Sequence, residues 1–382
     1  MMLGLFGRKS RPPQETRVPG IWPELLRAGA DAGPPRSYEA MTRDAYIRNP
    51  VAQRAVRIIA ESAAGAPVVS LPSQHPALAL LGGGEPGPSL IETLAANLLL
   101  HGNAYVEVGL GATGMPVALY ALRPERVTVE ADASGWPIGY LYRAGSHVER
   151  FPALTVGDRA GLLHIRSFHP LDDHYGLGCL GAASAAVDTH NAASRWNKAL
   201  LDNAARPSGA LVYDPGDGGT LSVEQFDRLK AEMEAGFSGA ANAGRPMLLE
   251  GGLSWQSLSL TPAEMDFARV RDTASREIAL AFGVPPMLLG LPGDNSYANY
   301  REANVALWRL TLLPLTRRIL GAIATHLHDW WPGLVLDVDR DAIPALSADR
   351  EMLWSRVSAA SFLSDDEKRR MLGLGLKQGA PS

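Results

Sequence analysis

The sequence is short of the residues from which most active sites are built. One of its 382 residues is cysteine, Cys179, so no intrachain disulfide and no cysteine zinc cluster can form. Lysine is scarce: five of the 36 basic residues, the other 31 being arginine. Forty acidic residues leave a net charge of −4, which argues against a grip on nucleic acid through an overall basic surface. It leaves room for a conduit that repels DNA weakly. No apolar run reaches the ~18 residues of a membrane helix, so no membrane partner is expected. The opening MMLGLFGRKSRPP puts its apolar residues before its basic ones, the reverse of a secretory signal. Residues 1–36 are read as a disordered arm of a cytoplasmic product. The Gly-rich stretch LGGGEPGPS (81–89) lacks the Gly-Lys-Ser/Thr of a phosphate-binding loop, and Gly-x-Ser-x-Gly occurs nowhere. Nucleotide binding at that loop and a nucleophile-elbow hydrolase therefore have no support.

What is present divides into three regimes. Up to about residue 170, helical patterns give way to strands. A helix starts near Pro50, with Val51, Val56, Ile59 and Ala60 on one face. A second, LIETLAANLLL, is capped by Ser89 with Glu92 as a capping box and stops at His101-Gly102-Asn103. AYVEVGL, VALYAL, VTVEA, GYLYRA and LLHIRSF then alternate between turn residues, as antiparallel hairpins do. From about 171 to 284, two helical patterns bracket a small insert. The first, 178–205, is rich in small residues; Ala182, Ala186 and Ala193 suit close packing between copies of the chain. The insert, 207–259, reads as a strand, a helix with Ser222 and Gln225 as capping box, and two short strands. The second bracketing helix opens on Thr261, Pro262 and Glu264 and carries a narrow apolar stripe that includes Phe267, Val270 and Ala274 among dense charges, a pattern that suits a pillar packing against copies of the chain and equally an ordinary amphipathic surface helix. From 285 onward come a Gly/Pro loop, a long helix from Ser296 with Pro314 inside it and so a kink, a strand Leu334–Val338, and two short helices. The fold class is α+β.

Candidate chemistry is thin. His164, His169 and His174 lie five apart with Asp172 and Asp173 between them, a spacing that matches neither helical ligand pair. Asp337, Asp339 and Asp341 alternate along a strand without the Gly and distal Glu of a calcium loop. No metal, cofactor or catalytic residue is assigned, and the chain is read as an assembly component rather than an enzyme. The alternative is a metal-dependent hydrolase using the 164–174 histidines. The loop Leu288, Leu289, Gly290, Leu291, Pro292, Gly293, Asp294, Asn295 has turn chemistry, three leucines unusual for a mobile loop unless they meet neighbouring subunits, and no nucleophile.

Four blocks, in order, give a resemblance. LLLHGNAYVEV with ALYALRPERVTVE (98–130) is the first and LLHIRSFHPLDDHYGLGCLGAA (162–183) the second, with Gly178-Cys179-Leu180 where the family has Ser-Pro-Leu. REIALAFGVPPMLLGLPGDNSYANYREANVALWRLTLLPLTRRI (276–319) is the third and FLSDDEKRRMLGLG the fourth. Together they resemble the portal proteins of long-tailed double-stranded DNA phages and phage-like gene transfer particles. The resemblance implies a portal-type fold and a ring, usually of twelve subunits, at one capsid vertex of a virion assembled in a bacterial cytoplasm. The parts it implies are a wing (37–170), a two-helix stem (171–206 and 260–284), a small α/β clip (207–259), a tunnel loop (285–296), a long kinked helix and strand (297–344) and a short helical crown (345–382). It implies as partners double-stranded DNA in the channel, the large terminase, the major capsid protein and a head–tail adaptor. A head–tail adaptor ring is a further alternative. In this family the loop after Val-Pro-Pro touches passing DNA, and an acidic or neutral bore is expected, because a basic one would hold phosphates.

Overall fold

The computed structural model describes residues 37–82, 87–155, 160–202, 209–214, 221–237, 252–257, 267–293 and 296–373. The arm 1–36, the caps at Thr261–Glu264, and Asp294 and Asn295 lie outside them.

The helices are α1 (Tyr38–Thr42), α2 (Pro50–Ala64), α3 (Ala77–Leu81), α4 (Leu90–Leu100), α5 (Cys179–Asp202), α6 (Val223–Phe237), α7 (Phe267–Phe282), α8 (Tyr297–Leu307), α9 (Leu313–His326), α10 (Ser347–Ala359) and α11 (Asp365–Met371). The strands are β1 (Val68–Leu71), β2 (Asn103–Leu110), β3 (Pro116–Leu122), β4 (Val127–Ala131), β5 (Pro137–Ala144), β6 (His147–Pro152), β7 (Leu163–Arg166), β8 (Gly209–Tyr213), β9 (Leu253–Ser257) and β10 (Val335–Val338).

Amphipathic periodicity explains the core. The buried faces of α2 (Ala52, Val56, Ile59), α4 (Leu94, Leu98), α9 (Ile319, Leu320, Ile323) and the end of α7 (Ile278, Phe282) meet in one cluster that also takes in β2 and β10. A second, smaller cluster of Tyr105, Leu122, Val129, Tyr140, Phe151 and Tyr175 lies under the other sheet. The sheets are antiparallel. β2 sits between β3 and β7, pairing Tyr105 with Leu122 and with His164, while β5 sits between β4 and β6.

Two expectations needed correction. β1 and β6 were not foreseen. β1 joins β10 in a two-stranded sheet, Val68 opposite Val338, across more than 250 residues of sequence, a pairing no local pattern announces. The long helix is also more than kinked. Between α8 and α9 lies a five-residue π turn, Trp308–Leu312, and Pro314 falls at the start of α9, where its missing N–H costs least. A second π turn, Arg43–Ile47, precedes α2.

Among the described residues four caps read from sequence are made, the Ser89–Glu92 box on one side only. Ser89 accepts from the Glu92 N–H, Ser296 from Asn299, and Ser222/Gln225 and Ser364/Glu367 are reciprocal boxes. Where the insert is described, β8 and β9 pair antiparallel, Leu211 opposite Trp255, with α6 between them in sequence. At the C-terminal end, Arg350 binds the Asp341 carboxylate and donates to the carbonyl of Leu372 at 3.0 Å, tying α10 to the segments after β10 and α11.

Candidate functional site

Two of the four sequence blocks meet in the fold. Gly102 ends α4 at φ +82°, and a Cβ there would lie 2.4–2.5 Å from the backbone of Gly176, Leu177 and Gly178. A Cβ on Gly176 would lie 2.0 Å from the Gly102 carbonyl oxygen. Two backbones cross at a distance only glycine allows. Asn103, fully buried, locks the crossing. Its Oδ1 accepts the Gly176 N–H at 2.7 Å and bonds His164 Nε2 at 2.9 Å, and its amide reaches His101 Nδ1 at 3.0 Å. The Gly102 carbonyl accepts from Ser167.

This clasp absorbs the histidine that invited a metal reading. His164 stacks on Tyr105, centroids 4.3 Å apart. Burial, then the charge of Arg166, hold its pKa down to about 3. His101 is buried edge-on to Tyr38, and burial lowers its pKa to about 4. His169 accepts the Leu171 N–H, while His174 leaves its Nδ1 without a partner. Among the described residues no cluster of three or more His, Cys, Asp or Glu could hold a metal. The aspartates of β10 and its exit face arginines instead: Arg317 makes a two-pronged pair with Asp337 (2.7 and 2.5 Å) and Arg350 binds Asp341. Both carboxyls are thereby held below their ordinary range.

The loop after α7 is more ordered than its composition suggests. Gly283 takes φ +68° and donates to Leu280, Val284 donates back to Ala279, and Phe282 and Val284 both point into the core. Thr311, in the π turn, donates to the Gly283 carbonyl at 2.7 Å. Pro286–Leu289 then form one 3-10 turn, closed at Gly290 by φ +74°. Leu288 and Leu289 are half-buried against the main core. Burying a leucine is worth roughly 1.5–3 kcal/mol, ample reason for the turn to fold down. Gly290, Pro292 and Gly293 are exposed and Leu291 is partly covered; Arg276 Nη2 donates to the Pro292 carbonyl.

The bracketing helices pack on each other, with Trp196 of α5 and Phe267 of α7 in ring contact at 5.9 Å. Ala186, Ala193 and Ala274, singled out for contact between copies, are buried within the single chain at 6%, 5% and 2% exposure. Their small size lets α5 and α7 approach inside the protomer. Ala182 and Val270 remain on the outside. Burial side by side, not composition, separates the two roles.

Comparison with known proteins gives this geometry its setting. The sequence profile described as phage portal protein matches residues 50–373. The chain is 40% identical over 346 residues to an uncharacterized protein of Rickettsia felis, covering 87% of this chain and 88% of the relative. It is 26% identical to the probable portal protein of Streptomyces phage phiC31, over 82% and 72% of the two chains. Among solved structures it is similar to a chain from the neck of a native gene transfer agent particle computed with C12 symmetry, at 47% identity and a TM-score of 0.68, covering 92% of this chain and 98% of that one. A profile match over most of the sequence, with blocks that the fold brings into contact, places the chain in the phage portal protein family.

Proposed function

We propose that this portal protein assembles into a ring of twelve at one vertex of a phage-like capsid, and that double-stranded DNA is packed and released through its channel. The observation that carries the reading is the 47% identity over 92% of the chain to a component of a neck computed with twelvefold symmetry. The architecture agrees with it. Two packed helices, α5 and α7, leave between them a segment of separate local structure, as a stem would leave a clip.

On this reading residues 37–170 with the α8–α9 rod form the wing, α5 and α7 the stem, 207–259 the clip, and 345–382 the crown. The clip takes the large terminase during filling and a head–tail adaptor afterwards, and the wing meets the major capsid protein. The stem faces neighbouring copies through Ala182, Ala185, Thr189 and Ala192, the outer side of α5. The outer end of the loop, Gly290–Gly293, leads toward Asp294 and Asn295, and this segment reaches the DNA.

Mass photometry and electron microscopy of the purified full chain test the assembly; rings with a through-channel are expected. A chain that stays monomeric at high concentration and is missing from the vertex of assembled particles would overturn the proposal. Ala182→Trp should block rings while leaving the thermal midpoint of the subunit unchanged, since that side chain lies outside the protomer core.

A further inference from the structure

A recess of about 730 Å³ opens where the N-terminus of α2, the flank of α5, the first turns of α7 and the exposed loop converge. Its floor carries His190 and Asn191, held from beneath by Asn49 in a buried polar chain. The Asn49 amide donates to His190 Nδ1 at 3.1 Å and to Asn191 Oδ1 at 3.0 Å, and the Asn191 amide donates to the Asp44 carbonyl, in the π turn Arg43–Ile47, at 2.9 Å. Asn49, His190 and Asn191 are 1%, 6% and 9% exposed, so the floor is set before any ligand arrives.

The walls are strongly cationic for a chain of net charge −4. Arg48, Arg195 and Arg271 line the recess, against one lining carboxylate, Asp272. Arg48 has a loose pair with Asp44 at 3.3 Å; Arg195 and Arg271 form no ion pair among the described residues. The dipole of α2 points its positive end toward the recess, although Asn49 already accepts the N–H groups of Val51, Ala52 and Gln53. With Nδ1 accepting from Asn49, His190 carries its proton on Nε2. Burial, then the charge of Arg271, hold its pKa below the usual range, so it offers a neutral donor. Leu291 and Pro292 close the recess on the loop side, and Arg276 holds the Pro292 carbonyl.

We propose that this recess seats backbone phosphates of double-stranded DNA, with Arg195 and Arg271 as the principal contacts and Arg48 in support. The proposal rests on the portal reading and goes beyond it by naming a phosphate site behind the loop. Guanidinium forks match phosphate oxygens in pairs, and three arginines from three separate elements offer an extended array rather than a point charge. The volume lies within the roughly 300–1,000 Å³ of sites for ligands larger than a single phosphate. Because the loop forms one wall, a seated phosphate and the loop share a boundary, and the loop cannot swing inward over the recess while it is filled. The bore is then not uniformly acidic or neutral. It carries a recessed, salt-sensitive brake behind an apolar rim.

The test uses full-length protein and a fluorescein-labelled duplex, with anisotropy titrations across a salt series and mass photometry of the same samples. Arg195→Gln/Arg271→Gln should keep its rings, bind the duplex about tenfold or more weakly at low salt, and lose about one unit of log–log salt slope per arginine removed at each engaged recess. Arg195→Lys/Arg271→Lys should keep most of the slope. Unchanged affinity and slope in the glutamine variant would overturn the proposal. So would loss of rings with DNA binding per chain intact, which would assign the recess to a neighbour's carboxylate. Free phosphate that displaces the duplex better than chloride at matched ionic strength would assign it to a small anion instead. A wild type that binds DNA through these arginines yet never forms rings would count against the portal reading alone.

Discussion

The turn 172–178 (DDHYGLG) and the loop 283–293 (GVPPMLLGLPG) are both short connections punctuated by glycine and leucine, and behave oppositely. The first is pressed against the end of α4 so closely that Gly102 and Gly176 leave no space for a Cβ, and Asn103 satisfies both sides. The second is fixed at its base by Gly283, Thr311 and the 3-10 turn, then leaves the surface, with Arg276 as its one described tie at Pro292. The lesson is that turn chemistry sets what a backbone can do, while the surface beneath decides whether it is held. A buried polar group left unpaired costs about 1–3 kcal/mol, whereas an exposed one is simply rehydrated.

Substitutions should separate the two regions by the size of their effect. Gly102→Ala should be the most damaging, because it combines positive φ with contacts of 2.4–2.5 Å to backbone atoms that cannot move independently. A loss of about 3 kcal/mol or more is expected in urea unfolding, from strain and overpacking together. If the variant unfolds like wild type, the two backbones do not cross as described.

Asn103→Ala comes next. It leaves the Gly176 N–H and the His101 and His164 rings without a shared partner, and about 2–3 kcal/mol of stability should be lost. Asn103→Asp should recover little, since it removes the donor to His101.

Acid should break the same region. His101 is held neutral in the folded chain, with a pKa of about 4, against about 6.5 unfolded. A depressed histidine destabilises as pH falls: the unfolded chain takes up a proton first, so stability present above pH 6.5 is lost progressively toward pH 4. At pH 5 the deficit should be about 2 kcal/mol relative to pH 7. His164, displaced in the same direction, steepens the dependence. Urea unfolding midpoints across this range measure it. A flat profile between pH 7 and pH 5 would mean that these rings are already protonated or exposed.

Arg276→Ala should have the smallest effect on stability, below about 1 kcal/mol, since its guanidinium is exposed. Its effect should instead be local. Hydrogen exchange and limited proteolysis at 290–293 should quicken, while protection at 174–178 stays as it was. Equal protection in wild type and variant would show that packing of Leu288 and Leu289, not the arginine, holds the whole loop.

Much of the fold was legible before any coordinates. Ser89, Ser222, Ser296 and Ser364 announce helix starts because their partners lie three residues away. The strands β2, β3, β4 and β5 follow from period-two alternation between turn residues. The buried faces of α2 and α9 follow from a period of 3.6. The misses share a cause. β1 is four residues long and finds its partner only at β10, α3 is a five-residue helix, and the π turn relieves Pro314 by a rearrangement that no propensity encodes.

The candidate sites divide along the same line. Composition and local spacing determined that the chain has no cysteine metal cluster, where several of its helices begin, and, through the order of four blocks, which family it belongs to. Those properties depend on neighbours within one or two turns of chain, or on the linear order itself. Which alanines of α5 face inward, that Leu288 and Leu289 lie on the core, that His164 serves Asn103, and that Arg48, Arg195 and Arg271 share one recess were decided only by tertiary structure. Each depends on residues that are far apart in sequence and on burial, which changes the cost of an unpaired polar group, the pKa of a histidine and the role of a methyl group without changing a letter of the sequence.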